Sequence, residues 1–164
     1  MNTVEPVTTR EASVGDAALL HAMIARMAAS TPARISFCSS VENYAAALAG
    51  EKPALHAYIA ERSNNAVGVV TFFKTFSTWY GKTGIYVQDL YVADEARGAG
   101  VGKLLMATAS RWGIEQGATH LKLAVDTDNS EAAAFYHNLG LAHRDDEKLY
   151  MIDGSGFANL AALQ

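Results

Sequence analysis

Arg97-Gly98-Ala99-Gly100-Val101-Gly102-Lys103 joins an apolar, strand-like run, Ile85-Tyr-Val-Gln-Asp-Leu-Tyr-Val92, to a segment with helical periodicity. Val101, Leu104, Leu105, Thr108 and Trp112 fall on one stripe of that segment, which stops near Gly117. The glycines in the join let the backbone approach a ligand closely and aim several amides at one point. The first turn of a helix leaves its leading N–H groups unbonded and carries about half a positive charge. A phosphate suits such a turn, and Arg97 and Lys103 add full charges beside it. The stretch reads as a cradle for a diphosphate.

Spacing narrows the choice of diphosphate. A dinucleotide fold asks for G-x-G-x-x-G, and Lys103 stands where its third glycine would be. A P-loop asks for G-x-x-x-x-G-K-[ST]; here Gly98 lies one residue too close to Gly102-Lys103, and Leu104 replaces the hydroxyl that would hold magnesium. The spacing that fits is R-x-x-G-x-G, as Arg97-x-x-Gly100-x-Gly102. After a strand and before a helix, that pattern resembles the pyrophosphate-binding motif of the GNAT superfamily of acetyl-CoA-dependent N-acetyltransferases.

Composition bounds the rest. A chain of 164 residues is long enough to bury a core without staples. No repeat, linker or low-complexity segment divides it, so residues 1–164 are expected to form a single domain. With 50% hydrophobic and 18% charged residues, the composition is that of a water-soluble globular protein. No apolar run is long enough to span a bilayer, and Val4-Glu-Pro-Val7 lacks signal-peptide character. A net charge of −4 opposes binding to DNA, RNA or acidic membranes. Cys38, the single cysteine, excludes an internal disulfide and suits a reducing cytoplasm. His21, His56, His120, His137 and His143 show no metal-ligand spacing, and no metal is expected.

Thr3 to Arg10 alternates weakly and reads as a first strand. Gly15-Asp16 caps a helix whose apolar residues Leu19, Leu20, Met23, Ile24 and Met27 recur at helical spacing. Ser30 to Ser40 is turn-rich, and a short helix from about Val41 to Ala49 ends at Gly50. Leu55 to Arg62 and Ala66 to Phe76 are strand-like, with a tight turn expected at Asn64-Asn65. Beyond the glycine helix come a strand from His120 to Asp126, a helix from Ser130 to Asn138 ending at Gly140, and a last strand, Leu149-Tyr-Met-Ile152. The order implies an α+β fold with one parallel crossover around the glycine helix.

A second motif strengthens the resemblance. Asn129, Ala133, Phe135-Tyr136 and Leu139-Gly140-Leu141 are similar to the superfamily's N-x-x-x-A-x-x-[LF]-Y followed by G-F. The likeness implies a mixed, largely antiparallel sheet of six to seven strands, splayed at the cofactor site and flanked by about four helices. It implies acetyl-CoA as cosubstrate, with its diphosphate on Arg97, Gly98, Ala99, Gly100, Val101, Gly102 and Lys103. Leu90, Tyr91 and Val92 would run beside the pantetheine, one backbone N–H near Leu90 serving the oxyanion. Asn129, with Ser130, Glu131 and Ala132 after it, would hold the pantetheine arm. Tyr136 would be the general acid facing the sulfur; a phenol with a reference pKa of about 10 is protonated at neutral pH and can donate to a thiolate. Read without the family, Asn129 is a helix cap and Tyr136 a core aromatic.

The segment Phe76 to Val92 and the closing Leu149 to Leu160 resemble one branch in particular, the diamine and thialysine N-acetyltransferases. That likeness is specific from about Phe72 to Ile152 and loose before it, and the branch implies a homodimer. The chain's own contribution to pairing is the apolar tail Phe157 to Leu163, which can equally pack on its own domain. One departure matters. Where the branch carries a glutamate that contacts the substrate amine, this chain has Gln88, followed by Asp89. A glutamine accepts a hydrogen bond but takes no proton. Three outcomes stay open: Asp89 substitutes, water suffices, or the substrate is not a polyamine.

By strict alternation Asp89 points opposite to Gln88, unless a bulge intervenes. Lys122-Leu123-Ala124 lines the acceptor side by family analogy, or is a plain strand with one solvent-facing lysine. Trp79 and Tyr80 either wall the acceptor pocket or pack in the core. The connector Ser77-Thr78-Trp79-Tyr80 offers no carboxylate, so a small primary amine is expected rather than spermine. Two other readings keep the cofactor: acetylation of a protein lysine or N-terminus, and acyl-CoA binding without turnover. A nicotinamide dehydrogenase is more distant.

Overall fold

The computed structural model describes residues 5–31 and 36–163. Its contacts divide the chain into two compact units, 1–124 and 125–164. The larger unit is a five-stranded sheet in sequence order, β1 (Thr8–Glu11), β2 (His56–Arg62), β3 (Asn65–Ser77), β4 (Lys82–Val92) and β5 (Ala118–Lys122). Neighbours from β1 to β4 pair antiparallel, and β4 pairs parallel with β5 across α3 (Val101–Glu115), the expected crossover. α1 (Ala17–Ser30) and α2 (Val41–Leu48) precede β2. Thr3 and Val4 of the expected first strand lie outside the described residues, as do positions 32–35 of the expected loop.

The sheet has two different faces. Against α1 and α2 lie Ala57, Ile59, Val69 and Tyr91, packed on Leu20, Met23 and Ile24, with Tyr44 and Leu48 at the margin. Against α3 lie Gly68, Phe72 and Ile85: Phe72 meets the Trp112 ring at 5.0 Å, and Ile85 lies under Gly113. Gly68 is small because it must be. A Cβ there would stand 2.9 Å from the Tyr91 carbonyl oxygen and 3.2 Å from a Val101 methyl. Removing the side chain lets the first turn of α3 sit directly on β3.

Several boundaries moved for local reasons. The hairpin turn is Ser63-Asn64, both at positive φ (52° and 60°), and Asn65 already pairs with Arg62 in the sheet. A two-residue hairpin of this kind needs positive φ at both central positions. β5 begins and ends earlier than expected, so Leu123 and Ala124 follow it without strand structure. Trp79 is 96% exposed, which excludes core packing for it.

The smaller unit holds α4 (Ser130–Asn138), as expected, and α5 (Gly154–Ala161), a helix that takes in most of the apolar tail. The expected strand over Leu149–Ile152 is absent: the segment has no regular structure, with Leu149 87% and Tyr150 86% exposed. A strand is a pairing rather than a property of one segment, and this unit has no strand among the described residues for it to pair with. The α+β fold therefore stands with five strands and five α-helices among those residues, not six to seven strands and about four helices.

Candidate active site

At its C-terminal end β4 leaves the sheet on one side. Its parallel pairing with β5 runs Thr83↔Ala118, Ile85↔Leu121 and Tyr86↔Lys122, where β5 stops, while β4 continues to Val92. From Val87 to Val92, β4 keeps β3 as its neighbour and has no strand on the other edge among the described residues. This is the expected splay, and Leu90, Tyr91 and Val92 lie in it. Backbone groups on such an edge are free to complete their hydrogen bonds with an extended ligand.

The chain then turns through a single 3-10 turn, Asp94–Ala96, into the glycine stretch. Ala93 N donates to Val67 O at 2.9 Å, and Arg97 folds back to donate from Nε to Val92 O at 3.4 Å and to pair with Asp94 at 3.0 Å. Arg97 thus ties the turn to the strand as well as bringing charge to it. Gly98 and Gly100 adopt positive φ (74° and 77°), and Gly100 is the N-cap of α3. A glycine cap supplies no side-chain acceptor, so the amides of Val101, Gly102 and Lys103 remain open at the positive end of a fifteen-residue helix. A Cβ built on Gly98 or Gly100 would meet no protein atom within 4 Å. The space over these amides is open to a ligand, and the chemistry of the turn fits a diphosphate.

Beside the turn lies a cavity of about 340 Å³, lined by Ala99, Gly100, Val101 and Leu104 with Arg62 and residues 5–7. Arg62 Nε is buried there without a hydrogen-bond partner. Nothing in the local sequence marks Arg62 for this place: it ends β2, and only the fold brings it beside a helix N-terminus that begins nearly forty positions later.

The register of β3 and β4 shifts between Thr71↔Asp89 and Phe72↔Val87, leaving Gln88 as the extra residue of a β-bulge. The bulge resets the alternation. Ile85 and Val87 face α3, whereas Asp89 and Tyr91 face α1 and α2. Gln88 is exposed, and Asp89 is half-buried, accepting at Oδ2 from Thr71 Oγ1 at 2.9 Å. Burial pushes the Asp89 carboxyl above its usual range, and the Thr71 hydroxyl pulls it part of the way back. The Tyr44 phenol, on α2, is itself raised by burial and by the nearby Asp89 charge. His21 Nε2 lies 2.9 Å from Ser39 O, and its ring meets Phe37 at 5.3 Å and Tyr44 at 5.8 Å.

In the smaller unit the Asn129 side chain caps α4, accepting from Ala132 N at 3.0 Å, and Ser130, Glu131 and Ala132 form the first turn. Tyr136 lies near the end of that helix, its ring edge-on to Phe135 at 5.1 Å.

Comparison with known proteins agrees with this geometry. The Acetyltransferase (GNAT) family matches residues 20–141, and the chain belongs to that family. It is an acyl-CoA-dependent N-acetyltransferase. The thialysine N-epsilon-acetyltransferase of Sus scrofa is 28% identical over 94% of this chain and 97% of its own length. The L-ornithine N5-acetyltransferase of Arabidopsis thaliana is 27% identical over 63% of this chain and 46% of its own. Among solved structures, a ribosomal-protein-alanine N-acetyltransferase from Brucella melitensis superposes with a TM-score of 0.72, at 21% identity, over 91% of this chain and 99% of that one. That likeness concerns the fold alone. No helix among the described residues is long and apolar enough to cross a membrane.

Proposed function

We propose that this protein transfers the acetyl group of acetyl-CoA to a primary amine of a small molecule by direct attack on the thioester. The carrying observation is the glycine-capped N-terminus of α3, set at the end of a β4 edge that has lost its neighbour. In this reading the amides from Gly98 to Lys103 hold the diphosphate, with Arg62, Arg97 and Lys103 as neighbouring cations. The free edge of Leu90, Tyr91 and Val92 receives the pantetheine like an added strand, and a backbone N–H near Leu90 stabilises the oxyanion. Asn129 contributes its Nδ2 to the pantetheine, its Oδ1 being used by the α4 cap. Tyr136 protonates the departing thiolate; the support is its place in the N-x-x-x-A-x-x-F-Y pattern. Gln88, Asp89 and the Lys122-Leu123-Ala124 segment form the acceptor side.

The family match from residue 20 to 141 crosses from the larger unit into the smaller, which supports a single functional domain over 1–164. Exposed apolar side chains at Leu149, Tyr150, Met151 and Phe157 support pairing of two copies. A lone, exposed Cys38 fits a cytoplasmic setting.

Thiol release from acetyl-CoA, measured over a panel of diamines, amino acids and aminosugars, tests the reading. Amine-dependent release is expected, and none across the panel would overturn it. Tyr136→Phe is expected to lower kcat by about 100-fold while acetyl-CoA affinity by calorimetry stays within about threefold of wild type. Unchanged turnover would remove Tyr136 from the mechanism.

A further inference from the structure

On the sheet face turned away from α3, a carboxylate sits in a layer built largely from apolar side chains. Val69 and Tyr91, on the same face as Thr71 and Asp89, belong to the cluster around Leu20, Met23 and Ile24. Asp89 has no ion-pair partner among the described residues; its contact is the hydroxyl of Thr71, which is fully buried. A half-buried carboxylate held by one neutral donor is costly, and a fold that merely needed volume there would be served by an apolar residue.

Three observations give this carboxylate a task. Asp89 lies in the splayed part of β4 and immediately precedes Leu90. The bulge at Gln88 turns it to the α1/α2 face, whereas unbroken alternation from Ile85 and Val87 would have turned it to α3. That other face is filled by Val101, Leu105 and Trp112 against Gly68 and Phe72, whereas Asp89 on the α1/α2 face stays partly exposed. Gln88, meanwhile, is exposed and cannot accept a proton.

We propose that Asp89 takes the proton of the acceptor ammonium and that Thr71 is its positioning residue, the base having moved one place along β4 from the position Gln88 occupies. The inference rests on the acetyl-transfer reading above and deepens it. The arriving R–NH3+ gives one proton to Asp89, which passes it to solvent. The nitrogen lone pair then forms the N–C bond and the C–S bond breaks, its electron pair leaving on sulfur. The sulfur takes a proton from Tyr136, and the second proton lost by nitrogen restores Tyr136 through solvent. One carboxylate near the Tyr44 phenol, whose ring meets that of His21 at 5.8 Å, fits a compact amine with a single cationic centre, which aromatic faces also favour.

The ionisable groups on the elements around Asp89 are Tyr44 and Glu42 on α2, His21 and Arg26 on α1, Lys74 on β3, and Lys82, Tyr86 and Tyr91 on β4 itself. The test is the pH dependence of kcat/KM with the best amine from the screen. Asp89→Asn is expected to lose about 100-fold at pH 7 and to lose the acidic limb, while binding acetyl-CoA like wild type in calorimetry. Thr71→Val removes a bond that favours the ionised carboxylate, so the acidic limb should move up by about one pH unit with the high-pH plateau preserved. Thr71→Ser restores the hydroxyl and should return the limb. Asp89→Asn retaining more than half of wild-type kcat/KM, or Thr71→Val leaving the limb in place, would overturn the proposal. If wild type turns over and Asp89→Asn does too, only the base assignment falls; if wild type turns over no amine, acetyl transfer falls with it.

Discussion

Thr71 and Phe72 are consecutive residues of β3, both fully buried, and they serve opposite sides of the sheet. Phe72 faces α3, where its ring lies 5.0 Å from Trp112, 5.7 Å from His56 and 6.2 Å from Tyr58. Thr71 faces α1 and α2 and spends its hydroxyl on Asp89. Equal burial therefore conceals unequal roles. The α3 face is an apolar seat that fixes where the glycine turn sits relative to the end of β4. The α1/α2 face keeps a polar pair inside an apolar cluster, which is a poor way to gain stability and a good way to hold a proton acceptor.

The strongest way to break this division is to truncate each side chain and compare unfolding. Phe72→Ala should cost about 3–5 kcal/mol in urea denaturation, since it opens a cavity among three rings. Thr71→Val, nearly isosteric, should cost about 1–2 kcal/mol, because it opens no cavity but takes from Asp89 the hydroxyl that its carboxylate accepts from. Equal losses would mean that both faces are simply core. Gly68→Ala comes next, at about 1–3 kcal/mol. Its new methyl would press on the Tyr91 carbonyl, a backbone atom that cannot yield cheaply, and on Val101 and Leu105. Because Val101 opens α3, weaker acetyl-CoA binding should accompany the lost stability. Lost stability with unchanged affinity would show that the turn holds itself without its seat.

Much of this division was legible in the chain, and what was hidden has a physical reason. The glycine turn, the strand before it, the crossover helix and α4 were readable because each is written in local chemistry: positive-φ glycines, period and caps. The Asp89 face was not. A bulge is a property of two paired strands, so nothing in Val87-Gln88-Asp89 by itself reveals that the register slips there. The Thr71 contact is hidden for the same reason, and Arg62 faces the α3 N-terminus only through the fold. The strand misassigned to Leu149–Ile152 shows the converse: an apolar run can have strand composition and no strand to pair with.

How firmly the α1/α2 layer is attached bears on the same comparison, because Asp89 needs that layer in place. Asp16 precedes α1 and accepts from Ser13 N at 2.8 Å and Ser13 Oγ at 3.0 Å, while Arg10 of β1 holds both of its carboxylate oxygens, at 2.8 and 3.0 Å. Arg10 in turn donates to Glu61 of β2 at 2.9 Å. The guanidinium lowers the Asp16 pKa to about 2 from an ordinary 3.8. A depressed carboxylate stabilises the fold above its unfolded-state value and loses that contribution as pH falls through the folded one. The loss should therefore fall between about pH 4 and pH 2. Asp16→Asn should cost about 1 kcal/mol at pH 7, discounted for the solvent around Arg10, and almost nothing at pH 2. A deficit that persists undiminished at pH 2 would point to the Ser13 bonds rather than the ion pair.

Smallest of all should be the effect of Trp79→Ala on stability. The β3–β4 ribbon carries Phe76, Trp79 and Tyr80 beyond the packed part of the sheet, with Trp79 96% exposed and Tyr80 67%. A side chain that buries almost no area in the folded state has almost none to lose, so unfolding should shift by less than about 0.5 kcal/mol. An indole that contributes nothing to folding leaves its other expected role, a wall of the acceptor pocket, to be tested with the amine. Trp79→Ala should then raise KM for the amine and leave kcat and the acidic limb of Asp89 unchanged. A change in the limb would mean that the hairpin tip reaches the carboxylate, and the boundary between the two faces would have to be drawn further out along the ribbon.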